Sequence, residues 1–219
     1  GVLIDYVVWI NSFLNRWAVD IVAEWSSEWK LGLNASKSEV AFFSTWSKEA
    51  SHSPSLTIAG EPVPFNPTHK LLGVTFDRQL SFDPHVKAVT KAATGKTKLL
   101  AAVGNTEWGW NKEHLKQLYF AYVRSKIDYC GPGWQPWLSP SNIKLLEITQ
   151  NKAIRTITGQ LKCSPAEALH YETGIERYET RIKRNTLRSV EQAKRFPPQH
   201  PRAIALSSAV PPRNKRRSW

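Results

Sequence analysis

The sequence holds no methionine in 219 residues and only two cysteines, and it is short of negative charge: 18 Asp and Glu stand against 30 Lys and Arg, a formal net charge of +12. Each shortage carries an expectation. Primary translation products begin with Met, yet this chain opens Gly1-Val2-Leu3-Ile4, so a processed protein or a piece of a longer one is expected. The opening residues have neither the charged segment nor the small-residue cleavage site of a secretory signal. No window approaches 18 uncharged apolar residues, which argues against a membrane-spanning helix and against a membrane partner. Cys130 and Cys163 lie far apart in no metal-ligand spacing, and the six histidines form neither an HxxxH nor an HExxH pair. A disulfide framework and a zinc site are therefore not expected. An intracellular location, nuclear or cytoplasmic rather than secreted, is.

What is present is apolar and basic. Apolar residues make up 41% of the chain and include ten tryptophans, enough for a packed core, which excludes disorder throughout. The charge is uneven. Residues 1–83 hold six Lys and Arg against nine Asp and Glu, net −3, whereas residues 84–219 hold 24 against nine, net +15. Residues 176–219 alone carry +9, from 12 basic and three acidic side chains. Such asymmetry points to a polyanionic partner, nucleic acid being the commonest; the bland alternative is a solvated helix face with a basic tail.

Along the chain, the β-branched run Val2–Ile10 reads as a buried strand. Ile10, Phe13, Leu14, Trp17, Ile21, Trp25 and Trp29 then recur at steps of three and four, predicting a helix with its tryptophans in the core. Glu39–Ser44 is strand-like. Ser55–Ile58 and Glu61–Val63 flank Ala59-Gly60 as a hairpin, and His69–Asp77 reads as one strand with Gly73 inside it. Beyond Phe82 the periodicity is helical. Asp83-Pro84 predicts an N-cap and first turn of a helix reaching about Val103, and Asn111 a second helix with the stripe Leu115, Leu118, Tyr119, Tyr122, Val123 and Ile127. Ser139-Pro140 opens a third helix that stops at Gly159, Ser164–Glu167 forms a capping box for a fourth, and a basic fifth covers about Glu176 to Arg195. A flexible basic tail follows from Pro197.

Two residues invite a chemical reading. Asp5 is the lone carboxylate in the first strand, where burial is costly without a partner or a metal, so it is a candidate Mg²⁺ ligand; the alternative is a solvent-facing strand end. Lys37 lies in the polar turn Asn34–Glu39, where a lysine can meet a phosphate or serve only the surface. Trp108, Trp110, Trp134 and Trp137 sit in loops between helices, placed to stack on bases or to fill a core, and aromatic burial favours the core.

The segments WSSEWKLGLNASKSEVAFFS (25–44) and HKLLGVTFDRQLSFDPHV (69–86), then QNKAIRTITG (150–159) and SPAEALHYETGI (164–175), resemble in matching order the reverse transcriptases of non-LTR, LINE-type retrotransposons, nearest the jockey-like elements. The likeness runs from Gly1 to Arg195. It implies that Leu3-Ile4-Asp5-Tyr6 stands where that family has an aromatic-Ala-Asp-Asp turn, with Asp5 at the metal-binding catalytic aspartate and Tyr6 in place of the second. It further implies that Asn34 and Lys37 belong to an Asn-x-x-Lys motif beside the nucleotide. Leu71–Val74, with Leu72 and Gly73 at its centre, corresponds to the hairpin that grips the primer end. Lys87, Lys91, Lys96 and Lys98 correspond to thumb residues facing the template–primer backbone. The implied partners are an RNA template, a DNA primer and dNTP, with Mg²⁺ as cofactor. The family's fingers and first catalytic aspartate lie upstream of anything in this sequence.

The expectation is thus an α+β fold: the C-terminal part of a polymerase palm over residues 1–82, a helical thumb and post-polymerase region over 83–196, and a basic Pro-containing tail over 197–219. The expected function is a fragment of an RNA-directed DNA polymerase, inactive as it stands because two-metal phosphoryl transfer needs carboxylates that this sequence lacks. The alternatives are a non-catalytic nucleic-acid-binding module and a nonfunctional remnant of an element.

Overall fold

A computed structural model of the chain describes residues 12–46, 53–58, 60–104 and 109–207. The expected strand at Val2–Ile10, and Asp5 with it, lies outside these residues, as do Trp108 and the basic run at 213–217. The described part is mixed helix and sheet, in agreement with an α+β fold. It divides into two units, one of residues up to His69 with Asp77–Leu80 and the residues from Val190 on, the other of Lys70–Phe76 with Ser81–Ser189.

In the first unit, helix α1 (Ser12–Glu28) lies against strand β1 (Leu56–Ile58), which pairs antiparallel with β2 (Glu61–Val63) in the register Leu56 opposite Val63. Glu39–Ser44 forms no strand. A single parallel bridge joins Val40 to Phe65, and the Ser44 N–H donates to the Arg78 carbonyl at 2.9 Å. The tryptophan stripe of α1 also departs from expectation. Trp17, Trp25 and Trp29 are 60%, 53% and 67% exposed, while Ser26 is buried and Val19 and Ala23 are half-buried. Periodicity fixes which side chains share a face, but the β1–β2 hairpin packs on the small residues rather than the large ones.

The second unit starts from a hairpin, where the residue pattern alone read a single strand and the resemblance implied a hairpin at Leu71–Val74. Strands β3 (Thr68–Leu71) and β4 (Val74–Asp77) pair across the two-residue turn Leu72-Gly73. Both turn residues have positive φ, 47° and 85°, the backbone signature of a type I′ turn. Glycine meets that demand freely, whereas Leu72 holds a conformation that L residues rarely take.

Helix α2 (Asp83–Val103) follows. Its N-cap is Phe82, in the left-handed region at φ 59°, and the expected capping carboxylate of Asp83 instead accepts from the Asn142 side chain at 2.5 Å. Helix α3 (Lys112–Leu118), capped by the Asn111 side chain, runs through a π-helical stretch (Tyr119–Arg124) into α4 (Ser125–Asp128). Leu115, Tyr119, Val123 and Ile127 form its buried side. A short helix α5 (Gly131–Trp134) leads to α6 (Pro140–Thr158), whose Ser139 hydroxyl caps it and whose end is Gly159 at φ 69°. Then come α7 (Ala166–Thr173), α8 (Tyr178–Lys194) and, in the region expected as flexible tail, α9 (Pro201–Ser207). The capping box at Ser164 does not form: Pro165 is the N-cap, and Glu167 pairs with Arg177 at 2.8 Å.

The core of this unit lies between α2 and α6. Val86, Val89, Ala93 and Leu100 meet the side of Leu146, Ala153, Ile154 and Ile157. Full burial of side chains of this size is worth roughly 1.5–3 kcal/mol each, so this contact dominates the unit. Trp134 is buried too, edge-on to His85 with its indole N–H donated to the Tyr129 carbonyl at 2.9 Å. Trp110 and Trp137 are exposed, so the tryptophans expected between the helices divide between the two readings.

Candidate nucleic-acid interface

Helix α2 buries one side against α6, and its remaining circumference decides where its lysines point. At about 100° per residue, Lys87, Lys91 and Lys98 fall within one narrow sector. There they line a cavity of about 520 Å³ between α2 and α6 with Thr90, Thr94, Gly95, Leu145, Thr149 and Lys152. Four lysines and no acidic residue are among the residues that line this groove. Of the three threonines here, Thr90 and Thr149 donate their hydroxyls to helix carbonyls, of Lys87 at 3.0 Å and Leu145 at 2.9 Å. Lysines on one helix face with no counter-charge are an electrostatic seat for a polyanion.

Lys96 lies nine residues beyond Lys87, about 180° around the helix. It belongs to a different place. Its ammonium sits 3.5 Å over the Tyr122 ring, beside Leu72, Gly73, Ser125, Lys126 and Tyr129, which together enclose about 490 Å³. The hairpin tip is fixed here. The Tyr129 hydroxyl donates to the Leu72 carbonyl at 3.0 Å, and a side chain on Gly73 would stand 3.4 Å from the Tyr129 ring. The structure therefore joins Lys96 to Leu72 and Gly73, and separates it from Lys87, Lys91 and Lys98.

Lys37 belongs to the first unit. It ends a single 3₁₀ turn, Ala35–Lys37, capped by the Asn34 side chain, which accepts from the Lys37 N–H at 3.2 Å and from the Ser36 hydroxyl at 2.6 Å. Asn34 thereby sets the turn from which the exposed Lys37 projects.

Several of the residues that build these sites gave no sign in the sequence. Lys152, in the QNKAIRTITG segment, and Lys126 and Tyr129, at the hairpin, stand apart from any run of basic residues. Arg181 is 1% exposed in a helix that reads as a solvated basic face. It donates to Asp128 at 3.2 Å and to Gln150 at 2.6 Å; Gln150 also accepts from the Tyr119 hydroxyl and donates to the Glu176 carbonyl. Burial drives the Tyr119 phenol up to about 12, so it enters this network protonated. The network ties α4, α6 and α8 together behind the lysine groove.

Among the described residues no three His, Cys, Asp or Glu gather into a potential metal site. Asp5, the residue that the resemblance implies for Mg²⁺, lies outside the described residues. No described helix is long and apolar enough to cross a membrane.

The sequence is related to the RNA-directed DNA polymerases of non-LTR retrotransposons. It is 28% identical over 200 residues to the probable RNA-directed DNA polymerase from transposon X-element of Drosophila melanogaster, a match covering 89% of this chain and 21% of that protein. The probable RNA-directed DNA polymerase from transposon BS of the same organism is 26% identical over 179 residues, covering 80% and 19%. A putative 115 kDa protein in the type-1 retrotransposable element R1DM is 23% identical over 116 residues, covering 53% and 11%. The chain thus spans about a fifth of the length of the first two curated relatives. No family model matches the sequence. No solved structure matches it either.

Proposed function

We propose that this chain is a portion of an RNA-directed DNA polymerase from a non-LTR retrotransposon, and that its task is to hold the backbone of an RNA template paired with a DNA primer. In this reading residues 1–82 are the C-terminal part of the palm and residues 83–196 the thumb and the helices after it. The observation that carries it is the groove in which Lys87, Lys91, Lys98 and Lys152 face open space without a carboxylate. Lysine–phosphate contacts supply affinity that is independent of sequence and steeply dependent on salt. The Leu72-Gly73 turn, with Lys96 and Lys126 beside it, meets the primer end, and Lys37 meets the phosphates of the incoming dNTP. Asp5 is the metal-binding carboxylate of the parent enzyme, and the chain alone does not extend a primer.

The test is binding of a labelled 20-base-pair RNA–DNA hybrid measured against salt. Micromolar or tighter binding at low salt is expected, with Lys87→Ala/Lys91→Ala/Lys98→Ala reducing the slope of log K against log salt by about 2 to 3. No binding at low salt removes the proposal. A primer-extension assay with Mg²⁺ addresses the catalytic part: extension above background that Asp5→Ala abolishes would show the chain to be active alone. Failure to extend, with binding retained, is the outcome this reading expects.

A further inference from the structure

Gly95 lies near the middle of α2, among residues whose side chains build the lysine groove. Glycine is the poorest helix former apart from proline, because it surrenders the most backbone freedom and shields its own peptide groups least. Helices keep an interior glycine where another element presses too close for a side chain. That is not the case at Gly95. A Cβ added there would meet nothing within 4 Å, and the φ of the residue is not positive, so neither packing nor backbone geometry requires glycine. By contrast, Gly131 could take no side chain without striking Gln135, and Gly73 would meet Tyr129. Gly133 in α5 has the same open surroundings but lines no lysine groove, whereas Gly95 leaves bare helix backbone facing one ringed by Lys87, Lys91, Lys98 and Lys152.

We infer that Gly95 is the point of closest approach between α2 and the sugar–phosphate backbone of a bound nucleic acid. The inference rests on the reading of the groove as a backbone seat. The lysines attract the strand from either side along the helix, and the missing side chain lets the strand settle against the peptide backbone between Lys91 and Lys98. Gly95 is thus a positioning residue: it sets how deeply the strand sits, whereas the ammonium groups set how strongly it is drawn in. A methyl group there relieves the helix of its weakest residue and at the same time lifts the strand away.

The test is the substitution Gly95→Ala in the full chain, with Gly95→Leu as a larger step. Thermal unfolding and binding of the 20-base-pair RNA–DNA hybrid are both measured. The expected result is a rise in Tm of about 2–4 °C for Gly95→Ala with at least about a fivefold loss of affinity, deepening with leucine. The slope of log K against log salt stays as in the unsubstituted chain, since every lysine remains. A rise in Tm with unchanged affinity overturns the inference and leaves the groove reading intact. A fall in Tm shows that the glycine serves the fold and overturns it as well. If the lysine substitutions leave the salt slope unchanged, the groove reading beneath it fails first, and the two failures are told apart by which series is silent.

Discussion

The Tyr129 hydroxyl donates to the carbonyl of Leu72 at 3.0 Å across 57 residues of sequence, and so pins the tip of a β-hairpin to the end of a helical segment. Leu72 is 80% exposed with φ 47°, a position where a leucine gains nothing from burial and bears backbone strain. The turn persists because its neighbours hold it. Val74 and the β4 strand are covered on one side, His85 accepts the Thr75 N–H at 3.2 Å, and Tyr129 secures the other end.

Tyr129→Phe keeps the ring against Gly73 and deletes only the hydroxyl. The bond is solvent-exposed, so the loss of global stability should be at most about 1 kcal/mol. The local effect is the informative one. Amide exchange in the Leu72–Val74 turn should speed up in the variant while the α2 and α6 amides keep their protection. Equal protection of the turn in both proteins would show that Tyr129 is incidental to it.

The buried Arg181 supports a second prediction. Its guanidinium spans Asp128 and Gln150 with the Tyr178 ring 5.0 Å from its centre, in a setting where solvent screens little. Removing the guanidinium takes a donor from buried Gln150 and leaves Asp128 to Arg124, which donates to it at 3.1 Å. Arg181→Met should therefore cost about 1–3 kcal/mol, read as a fall in the denaturation midpoint. The double variant Arg181→Met/Asp128→Asn should cost clearly less than the sum of the singles. Additive losses would mean that Asp128 does not answer Arg181.

How much of this was legible in the sequence depends on the kind of signal. Helix boundaries written in local chemistry were readable: Pro84 and the run to Val103, Asn111, Ser139-Pro140 and Gly159 all act through their own backbone neighbourhood. Signals that depend on a distant partner were not. Asp83 is an ordinary N-cap residue until Asn142 offers it a donor, and Ser164–Glu167 is a capping box until Arg177 takes Glu167 away. The same limit applies to the candidate site. The resemblance grouped Lys87, Lys91, Lys96 and Lys98, whereas helical period sets Lys96 on the opposite side of α2, and only the fold reveals Lys152 across the groove and Tyr129 beneath the hairpin.

The exposed stripe of α1 yields a third prediction. Trp17, Trp25 and Trp29 have more than half their surface in solvent, and the Trp25 and Trp29 rings meet one another with centroids 6.2 Å apart. Trp25→Ser and Trp29→Ser should each cost no more than about 2 kcal/mol and raise the concentration at which the chain stays monodisperse. A loss of several kcal/mol from either would show that the stripe is covered in the folded chain, which acrylamide quenching of the unsubstituted protein would detect independently.

Two histidines of the helical unit, His170 and His85, bias stability in opposite directions with pH. His170 bonds Glu147 at 3.1 Å through Nε2 and the Ile175 carbonyl at 2.8 Å through Nδ1, an arrangement that uses both ring protons; the Glu147 bond holds its pKa above 6.5. A raised folded pKa gives stability that is complete below 6.5 and is lost as pH climbs through the raised value. For Glu147, burial pushes the carboxyl up, but the His170 bond and the Tyr178 N–H together outweigh it and leave it below 4.5. Its contribution is complete above 4.5 and is lost as pH falls through the lowered value, so the pair is at full strength between about 4.5 and 6.5. His85 is the reverse case. Burial, then the Lys126 charge, depresses it below 6.5, and its Nδ1 accepts the Thr75 N–H, a bond that protonation destroys. The unfolded chain binds that proton first, so His85 withdraws stability as pH drops below 6.5. His85→Asn, which keeps an acceptor for Thr75 and does not titrate, should flatten the acid side of the stability profile between pH 6.5 and 5. His170→Gln should flatten the alkaline side above 6.5. Urea midpoints across that range settle the matter: if both variants shift the profile uniformly at all pH values, neither histidine titrates as its surroundings require.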